Sequence, residues 1–286
     1  VQASAMPNAR SPQPSTAVLI DCGVGAMVPS WSDHATGLLV ALAAIAAIDQ
    51  VVCKRVLPAN TGARWFMLHS AFNTMVTIFS LPDVVSTFHS PLCSLAHPMN
   101  SWIPAYLVIS GHAYHALAFE MKANEVRHHL IFSGIGGAVT LALPWGSLMS
   151  LCLCMISGLP GALDYAMLSA VKTGRLPRLT EKKLNRVINT YLRLPGLVSV
   201  SVIAASCLAH GTAALLPTPV LLFSMALSYG NGTFYGEQVI GSYHRELALS
   251  MATSSAKRTD PYPIGSDRSV SQTHSEDMNV MSDPRK

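Results

Sequence analysis

The chain has 286 residues, of which 50% are hydrophobic and 12% are charged, and its mean hydropathy is +0.36. Soluble domains carry roughly 25% charged residues. The low charge and the long apolar runs therefore exclude an ordinary soluble domain and predict an all-α, polytopic membrane helix bundle. The net charge of +4 is small, and no nucleic-acid partner is expected.

Composition divides the chain into three parts. Residues 1–33 are rich in Pro, Ser, Ala and Gly, and we expect a flexible N-terminal arm. Residues 34–245 contain the apolar segments and form the predicted transmembrane domain. Residues 246–286 are polar, and their low content of large aliphatic residues predicts a C-terminal tail without a hydrophobic core of its own.

Seven apolar segments are interpreted as transmembrane helices. They cover residues 35–52, 65–81, 102–119, 128–143, 147–171, 194–214 and 219–242. Pro82 is expected to end or kink the second helix, because proline disfavours a helical conformation in the preceding residue. The segment GLPG at 158–161 is expected to break the fifth helix. Thr180 is expected to be the N-cap of an interfacial helix that precedes the sixth.

The distribution of Lys and Arg predicts the orientation. These residues occur in the first, third and fifth loops and in the C-terminal tail, whereas the second, fourth and sixth loops contain none. Loops that carry Lys and Arg stay on the cytosolic side of a membrane. The alternation favours seven spans, with the C-terminus on the positive-inside face. An integral protein of the endoplasmic reticulum, or of an organellar membrane in a plastid or mitochondrion, is expected.

The six cysteines show no framework spacing, so we expect no disulfide. No Cys-x-x-Cys pair of the zinc type occurs. The chain also lacks a Gly-x-Ser-x-Gly elbow, a phosphate loop and a nucleotide-binding fingerprint. The sequence therefore gives no sign of the common soluble enzyme classes.

Three residues are the candidate catalytic centre. His128 and His129 open the fourth predicted span, and imidazole titrates near neutral pH. Asp164 follows the GLPG segment, which is expected to leave room for a ligand beside it. On a helical rise of 1.5 Å per residue, Asp164 and His129 differ in depth by only about 5 Å, so one lipid-accessible cavity is expected to hold all three. The alternatives are a solvated interfacial histidine pair and a His–Asp packing contact without ligand space.

Five more polar residues are candidates for substrate binding. His69 and Asn73 are four residues apart, and His112 and His115 are three apart, so each pair lies on one helix face. Glu237 lies in the seventh predicted span. A histidine-box iron site is an alternative for the four histidines of the third and fourth spans. Because enzymes of that type carry three richer boxes, we expect no metal.

These residues carry a family resemblance. The segments RWFMLH (64–69), SLPD (80–83) and EVRHH (125–129), with Leu-Pro-Gly at 159–161 and 194–196, resemble the TLC-domain family. That family includes ceramide synthases and translocating-chain-associating proteins, and EVRHH looks like its acidic-x-x-His-His element. Ceramide synthases also carry a His-Asp-x-x-Asp element, of which only Asp164 is present here. The chain is thus nearer to the uncharacterised TLC proteins.

The resemblance implies a protein that binds or modifies a membrane lipid in a helix-lined cavity and serves lipid homeostasis. In an acyl-transfer form, His128 or His129 would act as the base toward an amine or hydroxyl. Acyl-CoA is then the candidate co-substrate, and no other cofactor is expected. The alternative is a non-catalytic accessory subunit of a larger organellar membrane complex. The expected partners are membrane lipids and, under the alternative, other subunits.

Overall fold

The computed structural model describes residue 22 and residues 28–57, 62–121, 123–213 and 215–258. Within these ranges the regular structure is entirely helical, which confirms the all-α class. The described residues form seven continuous helices and one short 3₁₀ turn. The helices are α1 (Trp31–Val56), α2 (Arg64–His89), α3 (Ile103–Ala118), α4 (123–142), α5 (Ser147–Lys172), α6 (Arg178–Ala209) and α7 (Thr218–Arg258).

Three of these helices are long and apolar enough to cross a membrane, judged by length and composition. They are α1, α5 and α6. Their apolar residues are largely exposed on the outside of the bundle, since between 22% and 39% of each apolar window is buried. Helices with this composition are compatible with an integral membrane protein.

The second predicted span ends later in the structure than expected. It runs through Pro82 and ends at His89, eight residues beyond the predicted end. The adjacent Asp83 is fully buried, and its carboxylate accepts hydrogen bonds from the Asn100 side chain (2.6 Å) and the Ser150 hydroxyl (2.6 Å). These contacts hold the second half of α2 against α5 and the loop before α3, so the helix continues despite its proline.

The predicted interfacial helix and the sixth predicted span form one continuous helix, α6. It begins at Arg178 after Pro177, whose backbone (φ −64°, ψ 138°) is the helix boundary, and Thr180 lies inside the first turn instead of capping it. The helix then continues into the apolar segment without a break. A π-helical turn, Asn189–Arg193, joins its two halves.

The predicted terminal segments coincide only in part with the described residues. Helix α1 begins at Trp31, where Ser30 and Asp33 form a capping box. Helix α7 continues to Arg258, so residues 246–258 of the predicted tail are helical. Most of the predicted arm, and residues 259–286, lie outside the described residues.

Helix α2 lies at the centre, between α3 and α5. Helix α1 packs on α3, and α6 packs on α7. One apolar core lies between α1, α2 and α3 around Ile45, Leu68 and Phe72, all fully buried. A second lies between α5, α6 and the segment after α2, around Leu95 and Leu151.

The expectation of no disulfide was wrong, because Cys22 is bonded to Cys93. The bond joins the segment before α1 to the 3₁₀ turn Pro91–Cys93. A separation of 71 residues gave no spacing signal. Beside it, the Cys207 thiol, near the end of α6, donates to the carbonyl of Leu92 (3.5 Å).

A buried ion pair joins α1 to α2 and α3. Asp49 is fully buried at the start of the π-helical turn Asp49–Cys53. Its carboxylate pairs with the Arg64 guanidinium, whose Nε donates at 2.6 Å, and accepts a hydrogen bond from the Tyr114 hydroxyl (2.6 Å). The three side chains fix the ends of three helices against one another.

We expect Arg64→Met to lower the free energy of unfolding by about 3 kcal/mol, because it leaves the Asp49 carboxylate buried without its cation. The measurement is denaturant unfolding in mixed detergent micelles. Arg55→Met, which removes an exposed arginine of α1, is the matched control and is expected to change little. Equal losses in the two variants would contradict the structural role of the pair.

Candidate functional site

Five histidines meet where α2, α3 and α4 adjoin. We call His69, His112, His115, His128 and His129 the histidine cluster. Their ring centroids lie 4.7 Å apart for His112 and His129, 4.9 Å for His115 and His129, and 5.8 Å for His112 and His128. The ring of His69 lies 6.2 Å from that of His112. Three of the other candidate histidines, His69, His128 and His129, thus adjoin His112, and His115 adjoins His129.

A π-helical turn aims the histidine pair of α4. The turn His129–Ile135 starts at the second histidine, and π turns often occur at functional sites. His129 Nε2 and His115 Nδ1 share a hydrogen bond (3.3 Å). The ring of His128 reaches helix α7, where its Nδ1 shares a hydrogen bond with the Tyr235 hydroxyl (2.8 Å). The adjacent histidines therefore have different neighbours.

Aromatic rings flank the histidine cluster. Trp65 stacks on His115 at 3.7 Å between centroids, with 15° between the planes. Tyr165 of α5 stacks on His69 at 3.8 Å and 7°. His112 Nδ1 donates to the Val108 carbonyl (2.7 Å), so in the neutral ring the Nε2 atom is left as an acceptor.

Several buried polar atoms of the site have no hydrogen-bond partner in the described structure. They are His69 Nδ1, His129 Nδ1 and Asn73 Nδ2. His69 and Asn73 are both buried, and Asn73 accepts only from the Ser157 hydroxyl (2.9 Å). Because buried polar groups are nearly always paired, unpaired atoms of this kind point to a ligand or to ordered water.

The carboxylate of Asp164 is hydrogen-bonded to helix α6. Its carboxylate accepts a hydrogen bond from Asn185 of α6 (2.7 Å), and none of its described hydrogen bonds reaches a histidine. Its neighbour Tyr165 is the residue of α5 that contacts the histidine cluster. Glu237 is exposed on α7 and makes no ion pair within the described ranges.

The GLPG segment has a different role from the predicted one. Helix α5 is continuous there and carries a π-helical turn, Cys154–Gly158. A Cβ at Gly158 would lie 3.0 Å from the Thr77 hydroxyl, and one at Gly161 would overlap with the Asn73 amide nitrogen. The glycines therefore allow close approach of α2, whose side chains fill the space beside them.

A cavity opens beside the histidine cluster, between α4 and α7. We call it the α4–α7 groove, and its volume is about 220 Å³. Its lining is apolar except for Asn231 and the hydroxyl of Tyr235. The lining residues are Phe132, Ala226, Leu227, Gly230, Asn231, Phe234 and Tyr235. Since Tyr235 is bonded to His128, the groove and the histidine cluster share one edge.

This arrangement can perform acid–base chemistry. A neutral imidazole can accept a proton at one nitrogen while it holds another at the second. His128 adjoins the groove through Tyr235, and the rings of His112 and His129 adjoin His128. Within the described ranges, no three His, Cys, Asp or Glu side chains are arranged to hold a metal ion.

Two groups of residues at or near the site were not singled out from the sequence. Trp65 and Tyr165 are the aromatic neighbours of the histidine cluster, and an aromatic ring in an apolar helix carries no special signal. The second group lies on α6, and its spacing in the sequence could have identified it. Its members, Glu181, Asn185, Asn189 and Arg193, are spaced four residues apart and hence lie on one helix face.

Comparison with known proteins gives no family. Neither the models of known families, nor the curated proteins, nor the solved structures include a match to this chain.

We expect Gly161→Ala to destabilise the protein by about 1–3 kcal/mol, because the new methyl group forces Asn73 away from Ser157. Thermal unfolding in detergent measures the loss. Gly241→Ala is the matched control, since a Cβ there meets nothing within 4 Å and helix propensity favours alanine. If both variants unfold at the wild-type temperature, the close contact of α2 and α5 at Asn73 is refuted.

Proposed function

We propose that this chain is a multi-pass membrane protein that binds a membrane lipid in the α4–α7 groove and acts on its polar part through the histidine cluster. The observation that carries the proposal is the hydrogen bond of 2.8 Å between Tyr235, which lines the groove, and His128. An apolar groove with an acid–base group at one edge suits an amphipathic molecule.

The size and composition of the groove support a lipid. Its volume of about 220 Å³ is below the 300–1,000 Å³ that is usual for drug-sized ligands, so it would take one part of a lipid while the rest stays in the bilayer. Phe234 is 57% exposed, so the groove is open toward the surrounding lipid. The resemblance of segment 125–129 to TLC proteins agrees with this role.

The reaction class that we propose is acyl transfer. His128, or His129 acting through the ring of His128, would be the base. It would accept the proton of a lipid hydroxyl or amine while the oxygen or nitrogen atom of that group bonds to the acyl carbonyl carbon. The bond to the thiol or alcohol of the acyl donor then breaks, and the imidazolium returns the proton to that leaving group. An acyl-CoA thioester is the donor that suits this step.

A second function is favoured by helix α7. Its 41 residues make it about 61 Å long, roughly twice the thickness of the hydrocarbon core. Its last turns expose Leu249 and Met251. An apolar surface on a projecting helix suits a contact with another subunit, as in the accessory role of a membrane complex.

We also propose that all seven helices cross the membrane. The uncharged loops lie together: Ser147 N donates to the His97 carbonyl (3.1 Å), and Cys207 contacts Leu92. At the opposite end, Arg178 pairs with Glu246 (3.2 Å). The Cys22–Cys93 disulfide is on the side of the uncharged loops, and disulfides persist in oxidising compartments.

The lipid-binding proposal predicts that Gly230→Trp removes most co-purified lipid, by at least fivefold in native mass spectrometry. Gly230 lines the groove, and a side chain there meets nothing within 4 Å, so the indole fills the space without disturbing the fold. Gly241→Trp, equally open but outside the groove lining, is the control and should retain lipid. Equal retention by both variants would defeat the proposal.

The topology predicts labelling from opposite sides. In sealed vesicles, an impermeant maleimide should modify His89→Cys from one side only and Lys183→Cys from the other, with peptide mass spectrometry to locate the label. Both residues are exposed, and they lie at the two ends of the bundle. Modification of both from one side would contradict seven spans.

A further inference from the structure

Arg193 carries a charge that the described structure does not neutralise. It ends the π-helical turn Asn189–Arg193, where α6 passes into its apolar half. Its Nη1 donates to the Asn189 side-chain oxygen (3.1 Å), but its Nε is buried and has no hydrogen-bond partner. Among the described residues, no carboxylate lies within 4.0 Å of it.

The carboxylate of Asp164 does not pair with Arg193. The Asp164 carboxylate accepts a hydrogen bond from the Asn185 side chain (2.7 Å) instead. An arginine that snorkels keeps its guanidinium in the interface, whereas here the Nε atom is shielded by protein. A shielded guanidinium nitrogen without a partner is costly, so Arg193 is placed for an anion that the protein does not supply.

The position of Arg193 relates it to the α4–α7 groove. The π-helical turn packs against α5 and α7. A Cβ at Gly232 of α7, three residues before Tyr235, would lie 3.2 Å from the side chain of Leu194, the residue that follows Arg193. Tyr235 is the groove residue that is bonded to His128. Arg193 therefore belongs to a part of α6 that packs on α7 one turn from Tyr235, and it lies beside the residues that line the groove.

The opposite end of the groove is apolar. Ala226 and Leu227 lie eight to nine residues before Tyr235 on α7, which is about 13 Å along the helix axis. Phe132 lies one turn beyond His128 on α4 and faces the same space. A ligand with its charge at Arg193 would thus lay an apolar chain along α7.

We infer that the lipid of this site is anionic, with a phosphate or carboxylate headgroup bound by Arg193. This inference rests on the proposed lipid-binding function and adds the substrate class. Guanidinium groups bind these anions through charge-assisted and often bidentate hydrogen bonds, for which Nε and one terminal nitrogen provide the donors. The basic residues before α6 and in its first turns, Lys172, Arg175, Arg178, Lys182 and Lys183, attract anionic lipid to this side.

The test measures lipid selectivity by native mass spectrometry of the full chain in detergent. The probes are phosphatidic acid and phosphatidylcholine with identical acyl chains, a long-chain fatty acid, and inorganic phosphate. Wild type should prefer phosphatidic acid or the fatty acid to phosphatidylcholine by at least tenfold. Arg193→Gln should reduce the preference to less than twofold and still bind phosphatidylcholine. Arg193→Lys should keep part of the preference.

Arg186→Gln is the matched control. Arg186 lies on the same helix, but its guanidinium covers the Tyr243 ring at 4.7 Å, away from the groove lining. This variant should keep the wild-type preference, which separates binding at one site from a general effect of charge.

Each contrary outcome has a distinct meaning. An unchanged preference in Arg193→Gln overturns the inference and leaves the proposed function standing. If neither lipid binds wild type, the proposed function fails with it. Competition by inorganic phosphate at equal concentration would show a site for a free anion and overturn the lipid assignment. If Arg193→Gln does not fold, equal binding of the two phospholipids by wild type overturns the inference alone.

Discussion

A polar side chain inside a bundle of apolar helices is costly unless a polar group of the protein, a ligand or a water molecule pairs with it, because neither lipid tails nor an apolar core offer a hydrogen bond. The described helices are joined at such pairs. Asp49 with Arg64 and Tyr114 joins α1, α2 and α3, and Asp83 with Ser150 joins α2 to α5. These contacts determine register between helices, since an apolar surface alone slides with little change in energy.

The polar networks coincide with irregular helix geometry. Each of the four π-helical turns found in the described part of the chain contains or adjoins a residue of a polar network. Asp49 begins the first and His129 the second, Ser157 lies in the third, and Asn189 and Arg193 bound the fourth. A π turn holds one extra residue and so rotates the following side chains about the helix axis. The distortion brings polar groups to the interior without breaking the helix.

Much of the helix content could be predicted from sequence, because long apolar runs in a chain with few charges have few alternatives. The helix faces of His69 with Asn73 and of His112 with His115 followed from spacing alone. What failed depended on contacts between distant residues. Pro82 does not end α2 because Asp83 is held by other segments, and the disulfide of Cys22 depends on how the loop after α2 folds.

The candidate site was predictable in part for a similar reason. The histidines lie on three different helices, and only their separate helix faces can be derived from sequence. Asp164 was expected beside the histidines because it lies at nearly the same depth as His129. Two residues on neighbouring helices can lie at the same depth and still face in different directions. Asp164 faces α6 and Tyr165 faces the histidine cluster, although the two are consecutive. Depth along a helix does not specify rotation about it.

Helix α7 mechanically connects the α4–α7 groove to its own C-terminal turns. Tyr235 lies near its middle, and 23 residues, about 35 Å of helix, separate Tyr235 from Arg258. A continuous helix of this length behaves as a stiff rod, and Arg178 with Glu246 provides a contact about which it can pivot. Force applied to the far end would then widen or narrow the space between α4 and α7, so that whatever holds the last turns of α7 also controls how open the groove is.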